Sequence, residues 1–487
     1  MAKEFIVAIE LGSSKVTGIA GQKKPDGSIS VLAMASEDSA SFIRKGVVYN
    51  IDKTAQCLTN IVNKLEGQLK TRITQVFVGV GGQSIRSVRN IVAKDMPADT
   101  IITQEMVAEL MEENRNLDYP DQKILDVAEQ EYKVDTQLQL DPVGIRATRL
   151  EGNYLNILER KSFFQNLSKC FETAGIKVAD MYLAPLALAN AVLTEGEKRS
   201  GCALVDLGAD TTTVSIYSKN VLRHIAVIPL GTNNIIRDIA SLLMEESEAE
   251  KMMLKYASAY TDNNDIDDSL KYSIDSERQV ESRKFIEIVE GRLEEIIQNV
   301  REQIPSEYYD KLLGGIILTG GGSNMKNIEQ AFTIFTNIDK IRTAKFVNVT
   351  INSSQEAIKC HDGTKNTLLG LLAKGYINCA GEEIDPNLDL FNQRNSGSNA
   401  SGNGTTPDRA PGSGVIRSEL EERLAEEEAR RKREEAERQQ REEEERAAEE
   451  KRMREEEEAR NRRENSWWNK TKRGLGKFFD DMTSPEE

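Results

Sequence analysis

One pattern occurs twice in this chain: an apolar strand, a carboxylate, Leu-Gly, then small residues opening a second β-rich stretch. The first copy is FIVAIELGSSK at residues 5–15, carrying Glu10, Gly12, Ser13, Ser14 and Lys15. The second, about 200 residues further on, is ALVDLGADTT, with Asp206, Gly208, Ala209, Asp210 and Thr211. A hairpin of this kind points backbone N–H groups and hydroxyls at a phosphate chain. The carboxylate beside it can hold Mg²⁺ through water, because this ion keeps much of its hydration shell. A third loop, GIILTGGGS, ends in Gly320, Gly321, Gly322 and Ser323. Three glycines let backbone approach a ligand that any side chain would block. A lone Gly-rich loop is more often only a turn; two matched turns followed by a third loop imply a duplicated fold closing over one nucleotide.

Texture along the chain agrees. Up to about residue 385, short apolar runs alternate with helical patterns, which argues for an α/β body, and 487 residues exceed one ordinary core. Residues 386–416 contain NQRNSGSNASGNGTTPDRAPGSG, a linker composition too poor in apolar residues to fold. Residues 417–464 are almost entirely Glu, Arg, Lys, Ala and Gln, and only Leu420, Leu424 and Met453 are large and apolar. Dense Glu/Arg pairs three and four apart support a lone helix; a coiled coil and a disordered tether are the alternatives. As a helix, this spacer spans roughly 65–70 Å.

Aromatic residues then return in SWWNKTKRGLGKFFDDM. At about 100° per residue, Trp467, Trp468, Thr471, Leu475, Phe478, Phe479 and Met482 share one face. Lys470, Arg473 and Lys477 lie off that face and Lys472 borders it. Rings at headgroup depth flanked by cations suit an interfacial helix on anionic lipid, at residues 465–483. The alternative is a stripe docking on protein.

The net charge of −16 argues against a general nucleic-acid binder. Five scattered cysteines without a CxxC pair read as reduced thiols. No signal peptide opens the sequence and no apolar run is long enough to span a bilayer, so a cytoplasmic chain with peripheral anchoring is expected.

The three loops resemble the phosphate-1, phosphate-2 and adenosine motifs of the actin, Hsp70 and sugar-kinase superfamily. Within it, VFVGVGGQSIRS (residues 76–87), residues 153–193, PLGTNNIIRDIA (229–240) and EAEKMMLKYASA (248–259) are similar to the FtsA cell-division family. That resemblance implies an actin-like body, a duplicated ribonuclease-H-like pair of lobes. Lobe 1 is expected at 1–84 and 166–199, an FtsA-type inserted subdomain at 85–165, and lobe 2 at 200–385 with a helical subdomain at 236–305. It implies ATP and Mg²⁺ between the lobes, with Gly231 and Glu250 added to the nucleotide residues and Glu10 and Asp206 holding the metal. The implied partners are the FtsZ C-terminal peptide, further copies of the chain in filaments, anionic lipid and downstream division proteins, at the cytoplasmic face of the membrane at the septum. A small-molecule kinase or another actin-like cytoskeletal protein would share the three loops.

Four residues depart from the family pattern. Glu10 replaces Asp, Asp210 replaces a Gly, Thr232 replaces a Gly, and Met253 stands where a Lys is usual. Asp210 is expected to add backbone strain if its φ is positive, and to oppose a polyphosphate of like charge. Reduced hydrolysis, at most a weak ATPase, is the expectation. No residue declares itself as the catalytic base, and Lys15 either meets phosphate or caps a surface strand.

Overall fold

The computed structural model describes residues 4–383 and 411–417, together with residues 430–431, 438 and 451–454. Two compact units result, Met1–Arg417 and Ser418–Glu487. The few described positions of the second unit are helical. The candidate membrane residues Trp467, Trp468, Lys470, Lys472, Arg473, Leu475, Lys477, Phe478 and Phe479 lie outside the described residues.

The first lobe grows from its opening strand Ile6–Leu11, an apolar run buried on both faces. It pairs antiparallel with Lys15–Lys23, which pairs antiparallel with Ile29–Asp38. On the other side it pairs parallel with Val76–Val80, and that strand pairs parallel with Val178–Leu183. The second lobe repeats this arrangement. Cys202–Leu207 pairs antiparallel with Thr212–Ser218, which pairs with Val221–Ile228, and Cys202–Leu207 also runs parallel to Gly315–Thr319, itself parallel to Ile341–Thr343. Equal strand order and equal senses, around the two sequence copies of the turn, make the duplication a fact of topology. The actin-like α/β body is what the sequence led us to expect.

Each lobe has its own core. Phe5, Ile9, Ile19, Leu58, Phe77 and Phe171 anchor the first, with the helices Ile51–Leu69 and Lys161–Ala174 covering it. In the second, the helix Ser282–Glu302 buries Phe285, Val289, Leu293, Ile296, Ile297 and Val300 at helical spacing. Each of these side chains contributes about 1.5–3 kcal/mol on leaving water.

Between Val80 and Lys161 the chain leaves the first lobe to build a subdomain from three long strands, Arg86–Ile101, Gln122–Val134 and Arg146–Arg160, with the helix Gln104–Arg115 packed on them. Its separate core holds Val92, Leu110, Tyr132, Leu150 and Tyr154. The subdomain ends at Arg160 rather than at residue 165, because the next helix turns Phe164, Leu167, Cys170 and Phe171 into the core of the first lobe.

The expected linker needs a larger correction. Its last residues are part of the body: Val415–Ile416 pairs antiparallel with Met181 and Tyr182 at the edge of the first sheet. Asp126 of the inserted subdomain accepts the N–H groups of Gly412 (3.3 Å) and Gly414 (2.9 Å), and Arg417 pairs with Glu112 at 3.3 Å. Two apolar residues and an open sheet edge suffice for this where composition alone reads as linker. All five cysteines are unpaired, four of them buried. No helix among the described residues is long and apolar enough to cross a membrane.

Candidate functional site

The two turns are superimposable in their bonding. In the first, the Gly12 N–H donates to Lys15 O at 3.1 Å; in the second, the Gly208 N–H donates to Thr211 O at 2.9 Å. A Cβ on either glycine would stand 2.8 Å from that same oxygen, so both turns need glycine. Glu10 faces Thr17 across the first strand pair and Asp206 faces Thr213 across the second. Register therefore equates Ser13 with Ala209 and Ser14 with Asp210. The backbone N–H groups of Ser13, Ser14, Ala209 and Asp210 have no acceptor among the described residues. Lys15 is exposed where its strand begins.

Duplication brings the two carboxylates into each other's field. Burial first, and then Asp206, pushes Glu10 up to about 7, against a smaller opposite pull from Lys365. Burial pushes Asp206 up to about 6. Two desolvated carboxylates sharing a site favour a cation between them, although no cluster of three or more His, Cys, Asp or Glu among the described residues forms a metal cage. The third loop closes on this pair. Gly320 has φ +82°, and a Cβ there would lie 2.3 Å from Asp206 Oδ1. Ser323 is buried and caps the loop by donating to Gly320 O at 2.7 Å, so it serves the loop's shape. Gly322 sits against Leu207 and Thr232.

Gly231 is forced by contact as well: a Cβ would meet Ala209 O at 2.4 Å. The helix Thr232–Ala240 starts there, and the N–H groups of Thr232 and Asn233 donate to Gly208 O (3.1 Å) and Ala209 O (2.8 Å). Thr232 thus ties the helix to the turn. Met253 packs on the core of the second lobe. Glu250 is exposed on the helix Glu246–Tyr256. A small apolar hollow, partly open to solvent, lies beside the second turn between Leu207, Thr232, Ile235, Leu293, Ile296 and Met325.

Asp210 carries no backbone strain, because it does not adopt the left-handed conformation. Its carboxylate, 8% exposed, instead accepts from the backbone N–H of Lys45 at 3.1 Å and from Asn233 Nδ2 at 2.8 Å, with Arg237 Nη2 at 3.4 Å. Lys45 and Gly46 form the tip between the short strands Ile43–Arg44 and Val47–Val48, and the Gly46 N–H donates to Ser13 Oγ at 2.8 Å. One hairpin tip therefore bonds both turns. Lys45, Asn233, Arg237 and Lys365 were not singled out as site residues from sequence. Asn233 and Arg237 lie in PLGTNNIIRDIA, whose polar residues at helical spacing are the only local signal.

Four unpaired turn amides, glycines that no side chain can replace, and a buried carboxylate pair fit a polyphosphate with a divalent cation. With the duplicated sheet topology they define an actin-like protein with a cleft of nucleotide-binding type. Comparison with known proteins then places it further. Residues 203–359 match the family described as cell division protein FtsA, and residues 82–158 match the SHS2 domain inserted in FtsA. The cell division protein FtsA of Porphyromonas gingivalis is 35% identical over 326 residues, which is 66% of this chain and 68% of that protein. That of Neisseria meningitidis serogroup B is 33% identical over 334 residues, 67% of this chain and 80% of that protein. This chain belongs to the FtsA family of cell-division proteins. Among solved structures, one from a PilM-PilN type IV pilus biogenesis complex superposes with a TM-score of 0.53 at 17% identity, covering 78% of this chain and 99% of the other. That likeness concerns the fold alone.

Proposed function

We propose that this chain tethers FtsZ filaments to the cytoplasmic face of the cell membrane at the division septum. The actin-like body binds ATP with Mg²⁺ in its cleft, assembles with further copies into filaments and helps to recruit downstream division proteins. Turn amides would take phosphate oxygens, and Glu10 and Asp206 would hold the cation. The helical subdomain takes the FtsZ C-terminal peptide, and residues 465–483 bind anionic lipid as an amphipathic helix.

Family membership across the body carries this reading, and two features support its particulars. Leu243 and Leu254 stand 89% and 77% exposed on the helical subdomain, where a peptide with apolar anchors would cover them. The tail sets Trp467, Trp468, Phe478 and Phe479 among Lys470, Lys472, Arg473 and Lys477. The test is sedimentation of FtsZ with anionic vesicles and the full chain. The parent should carry FtsZ into the vesicle pellet, and Trp468→Glu should leave both proteins in the supernatant. Equal pelleting of parent and variant would remove the membrane anchor from the proposal.

A further inference from the structure

We propose that Asp210 is the cleft's own anion: its carboxylate occupies donors that a nucleotide phosphate would use, and links the two lobes without a ligand. The inference rests on the nucleotide-binding reading of the cleft and adds its regulation.

The bonding is unlike that at the matched position of the first turn, where Ser14 is exposed. Asp210 belongs to the second lobe, and Oδ2 accepts from the Lys45 N–H of the first lobe. Oδ1 takes Asn233 and the Arg237 guanidinium, both on the helix that starts at Thr232. A main-chain N–H beside a left-handed residue, a side-chain amide and a guanidinium are the donor types that bind phosphate oxygens. Lys45 and Gly46 both have positive φ, and the two consecutive N–H groups of this tip are spent on Asp210 and on Ser13. A phosphate entering between the turns must displace the carboxylate or lie beside it, and like charges repel strongly in a cleft with little water. Nucleotide affinity is then lowered by the fraction of molecules in which Asp210 is latched. The four unpaired turn amides and the Glu10–Asp206 pair stay available once the latch opens. The lobes are accordingly held together in the ligand-free protein, and a nucleotide has less to add to their closure than it would in a cleft without this residue.

The test uses the full chain, with Asp210→Ala and Asp210→Asn. A fluorescent ATP analogue with Mg²⁺ is titrated into each, and hydrogen exchange of the Lys45 amide is followed without nucleotide. Binding should tighten tenfold or more in Asp210→Ala and less in Asp210→Asn, which keeps one acceptor oxygen. The Lys45 amide should be protected in the nucleotide-free parent and exchange at least tenfold faster in Asp210→Ala. Equal affinity in all three proteins overturns the proposal. So does a Lys45 amide that exchanges freely in the parent, a result that needs no variant to fold. If no protein binds nucleotide, competition and the nucleotide reading fall together; a protected Lys45 amide would still separate that outcome from a lobe link that does not exist. FtsZ sedimentation with vesicles is independent of all these readings.

Discussion

Two carboxylates are buried against the same hairpin, and they have been treated in opposite ways. Asp210 reaches the tip from the second lobe, and both of its oxygens are bonded. Glu159, 2% exposed, ends the last strand of the inserted subdomain and lines a small hollow with Leu11, Gly46, Val47, Gly79 and Phe163. Its Oε2 has no hydrogen-bond partner, and burial alone pushes its pKa up to about 8. Burial is common to both, and their hydrogen bonding is not. The tip spends its N–H groups on Asp210 and Ser13, and nothing remains for the glutamate behind it. The bonded carboxylate of Asp210 links two lobes, while Glu159 sits in a wall where burial favours its protonated form.

Glu159→Gln sharpens this contrast most. The folded-state pKa lies above the ordinary 4.5, so the fold binds the proton more tightly than the unfolded chain does. The stability this carries is fully present below about pH 4.5 and is lost as pH rises through about 8. Glutamine stays neutral throughout, so the variant should gain on the parent across that window, by about 3–5 kcal/mol at its upper end. Chemical denaturation at several pH values measures the difference, and a flat difference would mean that Glu159 is paired in solution. Gly46→Ala breaks the contrast from its shared side. Gly46 has φ +72°, and a Cβ would lie 2.9 Å from Gly82 Cα, backbone that cannot swing aside. The expected cost is about 2–3 kcal/mol. Because the tip serves both turns, Lys45 amide protection should fall with it; unchanged exchange would show that the tip is held by other contacts.

What the sequence revealed and what it hid divide along chain distance. Each strand–glycine–strand turn is closed by residues within a few positions of one another, so both turns, the glycines and the Glu10/Asp206 pair could be read directly, and the duplication followed from them. The role of Asp210 could not. Its partners are Lys45, 165 residues away, and Asn233, 23 residues away, and as a single residue it read only as a misplaced like charge. The strain expected for a positive φ does not arise, because Asp210 does not adopt that backbone once Gly208 closes the turn. Glu159 gave no signal, since a glutamate ending a strand is ordinarily solvated. Residues 411–417 were hidden for a compositional reason: Pro, Gly and Ser dominate, and only the sheet edge gives Val415 and Ile416 a place to pack.

Asp126 is a third buried carboxylate, and its removal has the smallest expected effect. It is 6% exposed, like the other two buried from water, and its pKa rises to about 6 through burial, opposed by the N–H groups of Gly414, Val127 and Gly412. Donors here are present and come from a segment that is also tied to the body by two residues of strand pairing, the Leu183 N–H donating to Gly414 O at 2.7 Å, the Arg417–Glu112 pair and Ile416 buried in the first core. Removing the carboxylate leaves two glycine N–H groups without acceptors at a site that can open to water, so Asp126→Ala should cost about 1–2 kcal/mol. The loss should be local. Residues 411–417 should become accessible to protease and their amides should exchange quickly, while denaturation of the lobes shifts little. If the amide exchange and the proteolysis pattern of Asp126→Ala match the parent, the segment's other contacts hold it without the carboxylate.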